Sequence, residues 1–100
     1  PLYVQQSDGS IQNKYYFKIL NKTEEPVRVS LEARGPEGLE ISGVEPPLEL
    51  KPADVTQYTV FVRVPRENLE QSRTPLVFEV EALENPELGA TYESMFFGPR

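Results

Sequence analysis

The stretch Val27-Arg28-Val29-Ser30-Leu31-Glu32-Ala33-Arg34 places an apolar residue at every second position and a polar one between. Successive side chains of an extended chain point to opposite faces. Val27, Val29, Leu31 and Ala33 therefore share one side, and Arg28, Ser30, Glu32 and Arg34 the other. In a helix the same four apolar residues would be scattered around the axis. The segment reads as a strand with one buried and one wet face, the pattern of an antiparallel sheet covered on one side.

The flanking segments repeat this pattern. Before it, residues 12–21 alternate Tyr15, Phe17 and Ile19 with Tyr16, Lys18 and Leu20, and residues 2–6 make a shorter strand that leads into the Asp8-Gly9 turn signal. After it, Gly35-Pro36-Glu37-Gly38 turns the chain into a strand over residues 39–42. Pro46-Pro47 then leaves room only for a brief edge strand at Leu48–Leu50. Residues 55–64 bring Tyr58, Val60, Val62 and Val64 to one face, and residues 66–72 hold a single helical turn. Residues 74–83 point Leu76, Phe78, Val80 and Ala82 inward, and residues 90–97 form the last strand. About seven substantial strands and an edge fragment in 100 residues predict one all-β domain over residues 1–100, an immunoglobulin-like sandwich of antiparallel strands. A small barrel or another Greek-key arrangement accommodates the same strands, because turns do not determine strand order.

The chain contains neither cysteine nor histidine. That removes disulfides, Cys/His zinc sites, cysteine-ligated iron–sulfur centres, a thiolate nucleophile and an imidazole base, so packing must hold the sandwich and no cofactor is expected in it. Asp and Glu number 16 against 10 Lys and Arg, giving a net charge of -6, and each half of the sequence carries 5 basic and 8 acidic residues. Such a diffusely acidic chain is unsuited to a nucleic-acid backbone. No apolar run is long enough for a membrane span, so the fragment is expected not to insert by itself.

Carboxylate pairs invite an acid–base reading at Glu24/Glu25 and Glu79/Glu81. Glu79 and Glu81 alternate with core positions, however, which puts them on a wet face and not in the dry cleft such chemistry needs. Asp8 and Asp54 stand alone, not in an Asp-x-Asp calcium loop, and Met95 offers copper a single soft ligand. No catalytic, cofactor-binding or metal-binding residue is assigned, and the chain is expected not to be an enzyme. Asn21-Lys22-Thr23 fits the N-glycosylation acceptor pattern, but at a turn Asn21 is better read as hydrogen-bonding its own backbone.

What remains is surface. Tyr3, Tyr16, Phe61, Met95 and Phe97 are apolar residues on the less regular faces. Aromatic and Met side chains favour interface cores, so these five form the candidate interaction surface. An exposed strand edge, able to accept a partner's strand, is a second candidate.

The run Asp8-Gly9-Ser10-Ile11-Gln12-Asn13-Lys14-Tyr15, continued by Phe17-Lys18-Ile19-Leu20-Asn21-Lys22-Thr23, resembles the opening of a known domain. It is the C-terminal immunoglobulin-like domain of the CcoG/FixG family of cytochrome c oxidase accessory proteins. Gly38-Leu39-Glu40-Ile41-Ser42-Gly43, Thr74-Pro75-Leu76-Val77-Phe78 and Glu93-Ser94-Met95-Phe96-Phe97-Gly98-Pro99 follow in that family's order, so the resemblance spans nearly the whole chain. Gln12, where members often carry Arg, and the Glu-rich linker between Pro36 and Leu50 depart from it.

The resemblance implies a domain excised from a larger bacterial inner-membrane protein, whose cytoplasmic ferredoxin-like part binds iron–sulfur clusters. That parent is associated with assembly of the cbb3-type oxidase and with copper reduction for its copper site. The domain would lie on the periplasmic side, tethered through transmembrane helices. The implied partners are the rest of the parent, oxidase subunits and copper chaperones, and the implied role is a noncatalytic one of docking or stabilisation. Without that relationship the residues describe a generic extracytoplasmic sandwich, a spacer or adhesion module with no metal-related partner.

Overall fold

A computed structural model describes residues 2–99. The strands are β1 (Val4–Gln5), β2 (Ile11–Asn21), β3 (Val27–Arg34), β4 (Glu40–Ser42), β5 (Leu48–Leu50), β6 (Asp54–Val64), β7 (Arg73–Ala82) and β8 (Gly89–Phe97). They form two separate four-stranded antiparallel sheets, ordered β1-β2-β6-β4 and β5-β3-β7-β8, so the chain is a sandwich and not a closed barrel. These are the strand orders of a constant-type immunoglobulin domain with β5 added beside β3.

The alternation in β3 is realised: Val29 and Leu31 are buried, and Arg28, Glu32 and Arg34 are exposed. Most strands agree with the sequence reading to within one residue at each end, and the larger differences have local causes. The strand expected over residues 2–6 shrinks to Val4–Gln5, because Leu2 and Tyr3 lie outside the ladder with β2. The helical turn expected over residues 66–72 tightens to a 3-10 turn at Arg66–Asn68, closed by bonds from Asn68 N–H to Pro65 C=O and from Leu69 N–H to Arg66 C=O. The strand expected to run to Leu83 stops at Ala82, although the Leu83 N–H still bonds the Arg28 carbonyl opposite it in the β3 register. In the Glu-rich segment between Pro36 and Leu50 the two short strands expected at residues 39–42 and Leu48–Leu50 form as β4 and β5, and Leu48 and Leu50 are buried.

Phe78 sits at the centre of the core, edge-on to Phe17 at 4.7 Å and to Tyr15 at 5.0 Å between ring centroids. Leu76, Val60, Val62, Val64, Ile11 and Phe96 complete the sealed layer between the sheets. Polar side chains then provide cross-links where a disulfide would otherwise serve. Asn13 on β2 donates from Nδ2 to the Phe97 carbonyl and accepts the Phe97 N–H at Oδ1, both at 2.8 Å, so it acts as a strand partner for the edge of β8. The Tyr15 hydroxyl donates to the Met95 carbonyl at 2.7 Å on the same side. On the opposite side the Tyr58 hydroxyl donates to the Glu49 carbonyl at 2.6 Å, tying β6 to β5.

Asn21 is buried at the end of β2. Its Nδ2 donates to the Glu25 and Leu50 carbonyls and its Oδ1 accepts from the Thr23 N–H and hydroxyl, so the acceptor-like tripeptide is a structural turn. Among the described residues no helix is long and apolar enough to cross a membrane.

Candidate functional site

Strand register decides which surface residues meet. On the first sheet β2 and β6 run side by side, with Lys14 opposite Phe61, Tyr16 opposite Thr59, Lys18 opposite Gln57 and Leu20 opposite Val55. Their inward neighbours Tyr15, Ile19, Val60 and Val62 belong to the core, so these eight side chains line the outer, or front, face of the sandwich. Tyr16 is 62% exposed, and Leu20 and Val55 are each 51% exposed. Lys14 Nζ lies 5.4 Å from the Tyr16 ring centroid and 5.9 Å from that of Phe61, a cation held over two aromatic rings. None of the eight carries a carboxylate, although the chain as a whole has net charge -6. Arg63 extends the basic character towards β4, where it faces Glu40.

Phe61 is fixed from the side by Gly43. Gly43 has φ +87°, and a Cβ there would stand 2.8 Å from Phe61 Cδ2, so the ring packs directly on glycine backbone.

The other candidates go elsewhere. Met95 and Phe97 are paired with Pro75 and Arg73 and lie half-buried on the outer face of the second sheet, on the opposite side of the molecule. That back face is rich in carboxylates, among them Glu32, Glu79, Glu81 and Glu93, with Arg34 Nε bridging to Glu79 at 2.9 Å. Tyr3 precedes β1 outside both ladders. The structure thus brings Tyr16 and Phe61 together, separates them from Met95 and Phe97, and leaves Tyr3 apart. Lys14, Lys18, Leu20 and Val55 were not singled out in the sequence. The missing signal was the register between strands about forty residues apart, which turns isolated lysines and aliphatics into one face.

A groove of about 400 Å³ opens between the sheets near the end of β2, with Ile19, Leu20, Val80, Ala82, Leu88 and Tyr92 in its lining. It is walled mainly by aliphatic side chains. Ionisable groups shifted from their ordinary behaviour are dispersed. Burial raises the Tyr15 hydroxyl above the usual tyrosine range, and hydrogen bonds from Ser10 lower the exposed Asp8 carboxyl. Among the described residues no three His, Cys, Asp or Glu side chains group as a metal site. The surface offers cation–aromatic and apolar contact, suited to recognition.

These features define a disulfide-free immunoglobulin-like domain with a basic, aromatic front face. Residues 1–99 match the family described as "IG-like fold at C-terminal of FixG, putative oxidoreductase", and the chain belongs to that family. A solved structure of a FixG-related protein from Vibrio parahaemolyticus shares the fold, with a TM-score of 0.83 at 20% identity over 94% of this chain and 84% of that one. None of the curated proteins compared matches the chain.

Proposed function

We propose that this domain is the noncatalytic docking module of an oxidase accessory protein. Held on the periplasmic side of its parent's membrane, it presents the front face to an oxidase subunit or copper chaperone during assembly of a cbb3-type oxidase and supply of its copper. The observation that supports this is the centre of the front face: Lys14, Lys18, Tyr16 and Phe61 among eight side chains without a carboxylate, on a chain of net charge -6. Segregating cations from an otherwise acidic surface steers an acidic partner to one side of the molecule, and the aromatic rings supply the apolar centre of an interface. The link to the oxidase rests on the resemblance to the CcoG/FixG accessory proteins, and redox chemistry is assigned to the parent outside this domain.

The test is a pull-down from membranes that contain the oxidase, with the folded domain as bait and oxidase subunits and copper chaperones scored by mass spectrometry. Recovery by the natural domain, lost with Tyr16→Ser and Lys18→Glu but kept with Phe97→Ser, supports front-face docking. Equal recovery with all baits, or none above control, overturns it. The 46 Å long axis of the sandwich favours a second reading, a spacer within the parent, and that reading predicts the empty pull-down.

A further inference from the structure

Most of one edge of β2 is unpaired. Its ladder with β1 takes in only Ile11 and Gln12. The Gln6 N–H bonds the Ser10 carbonyl, and bonding alternates along an antiparallel strand, so the even-numbered residues of β2 turn their backbone groups towards the β1 side. From Lys14 to Leu20 those N–H and C=O groups meet no strand among the described residues. Across the sandwich, Asn13 and Tyr15 close the edge of β8 at Phe97 and Met95, whereas Thr91 and Glu93 are exposed. The apolar groove lies between these two open edges. A long open edge beside uncovered apolar surface is a site for an added strand.

β1 indicates which strand. It pairs antiparallel with β2, Val4 opposite Gln12 and Gln5 opposite Ile11, so the direction leading back from β1 runs along the open edge towards Asn21 and the groove. In that register the position opposite Leu20 falls about five residues ahead of Pro1. The family lies at the C-terminal of FixG, so the parent polypeptide enters the domain from this side.

We propose that in the parent protein Leu2 and Tyr3, which lie outside the ladder here, are drawn with the segment ahead of them onto the open edge of β2, lengthening β1. Side chains from about four to six residues ahead of Pro1 then lie against the groove beside Ile19, Ala82 and Tyr92. Covalent attachment supplies an effective concentration of about millimolar, so even a modest strand addition is populated. The connection is then a rigid one that fixes the direction of the front face relative to the rest of the parent. The inference rests on the family's placement of the domain and not on the identity of any docking partner.

Hydrogen exchange on the full-length parent tests it, comparing the natural protein with one whose ten or so residues ahead of Pro1 are replaced by a Gly/Ser linker of equal length. The β2 amides of Lys14, Tyr16, Lys18 and Leu20 are expected to exchange at least about tenfold slower in the natural parent. The odd-numbered amides, which bond β6, report that the domain remains folded in both. Equal exchange at the even-numbered amides overturns the proposal: fast in both means an open edge, and slow in both means that some other element covers it. The pull-down reads side chains of the front face, so docking can fail while the strand holds, and the reverse.

Discussion

Asn13→Ala removes the amide that joins the two sheets at the edge of β8. In the folded protein Asn13 is 3% exposed and holds both backbone groups of Phe97 at 2.8 Å. Truncation forfeits two hydrogen bonds, each contributing about 0.5–1.5 kcal/mol net, and leaves the Phe97 N–H and C=O without their partner. Phe97 is half-buried, so water reaches part of the vacated space and the total falls at about 2–3 kcal/mol. For a domain of this size that lowers Tm by about 10–20 °C.

Urea unfolding is the assay, with an unchanged m-value required so that the midpoint reports stability. Asn13→Asp adds a sharper control. The carboxylate still accepts the Phe97 N–H but opposes the Phe97 carbonyl, whereas the protonated acid can donate to it. Its folded-state pKa is therefore raised above the unfolded value. The variant is most stable at low pH and loses that stability as pH rises through the folded pKa. A loss under about 0.5 kcal/mol for Asn13→Ala, or an Asn13→Asp deficit that is flat between about pH 4 and 7, would refute the claim that this amide closes the sandwich.

Three further outcomes are expected. Gly43→Ala forces a Cβ towards the Phe61 ring at a positive φ, costing about 1–3 kcal/mol and displacing Phe61 in NMR spectra; an unshifted Phe61 resonance would count against the packing described. Burial raises the Tyr15 hydroxyl pKa, so the stability contributed by its protonated form is complete below about pH 10 and is lost as pH rises further. Urea midpoints should fall above that pH in the natural protein and fall less steeply in Tyr15→Phe. Glu84→Gln breaks an exposed ion pair with Arg28 and should leave the midpoint unchanged at physiological salt, since water and ions already screen it; a clear shift would show a stronger surface network than the geometry supports.

The sandwich was legible wherever the two faces of a strand differ in chemistry. β3, β6 and β7 alternate cleanly because one side meets Phe78 and its neighbours while the other meets water. β2 was harder to read, since Tyr15 points inward and Tyr16 outward, and residue type alone does not separate them. Asn13 looks like any surface amide in sequence; only the arrival of Phe97 from the far end of the chain makes its burial favourable. The candidate surface was legible as single residues but not as a patch. Parity places Met95 and Phe97 together on β8, yet nothing local to either strand says that this face is opposite the one carrying Tyr16 and Phe61. Long-range register, set by crossovers between sheets, carries that information.

The most direct test of the docking role is made in cells whose parent protein carries Lys14→Glu and Lys18→Glu, two exposed changes on the front face. Mature cbb3-type oxidase in the membrane is quantified at matched abundance of the parent. A marked fall in assembled oxidase is expected, with the variant domain retaining its thermal midpoint. Normal oxidase levels with a folded, equally abundant variant would contradict it.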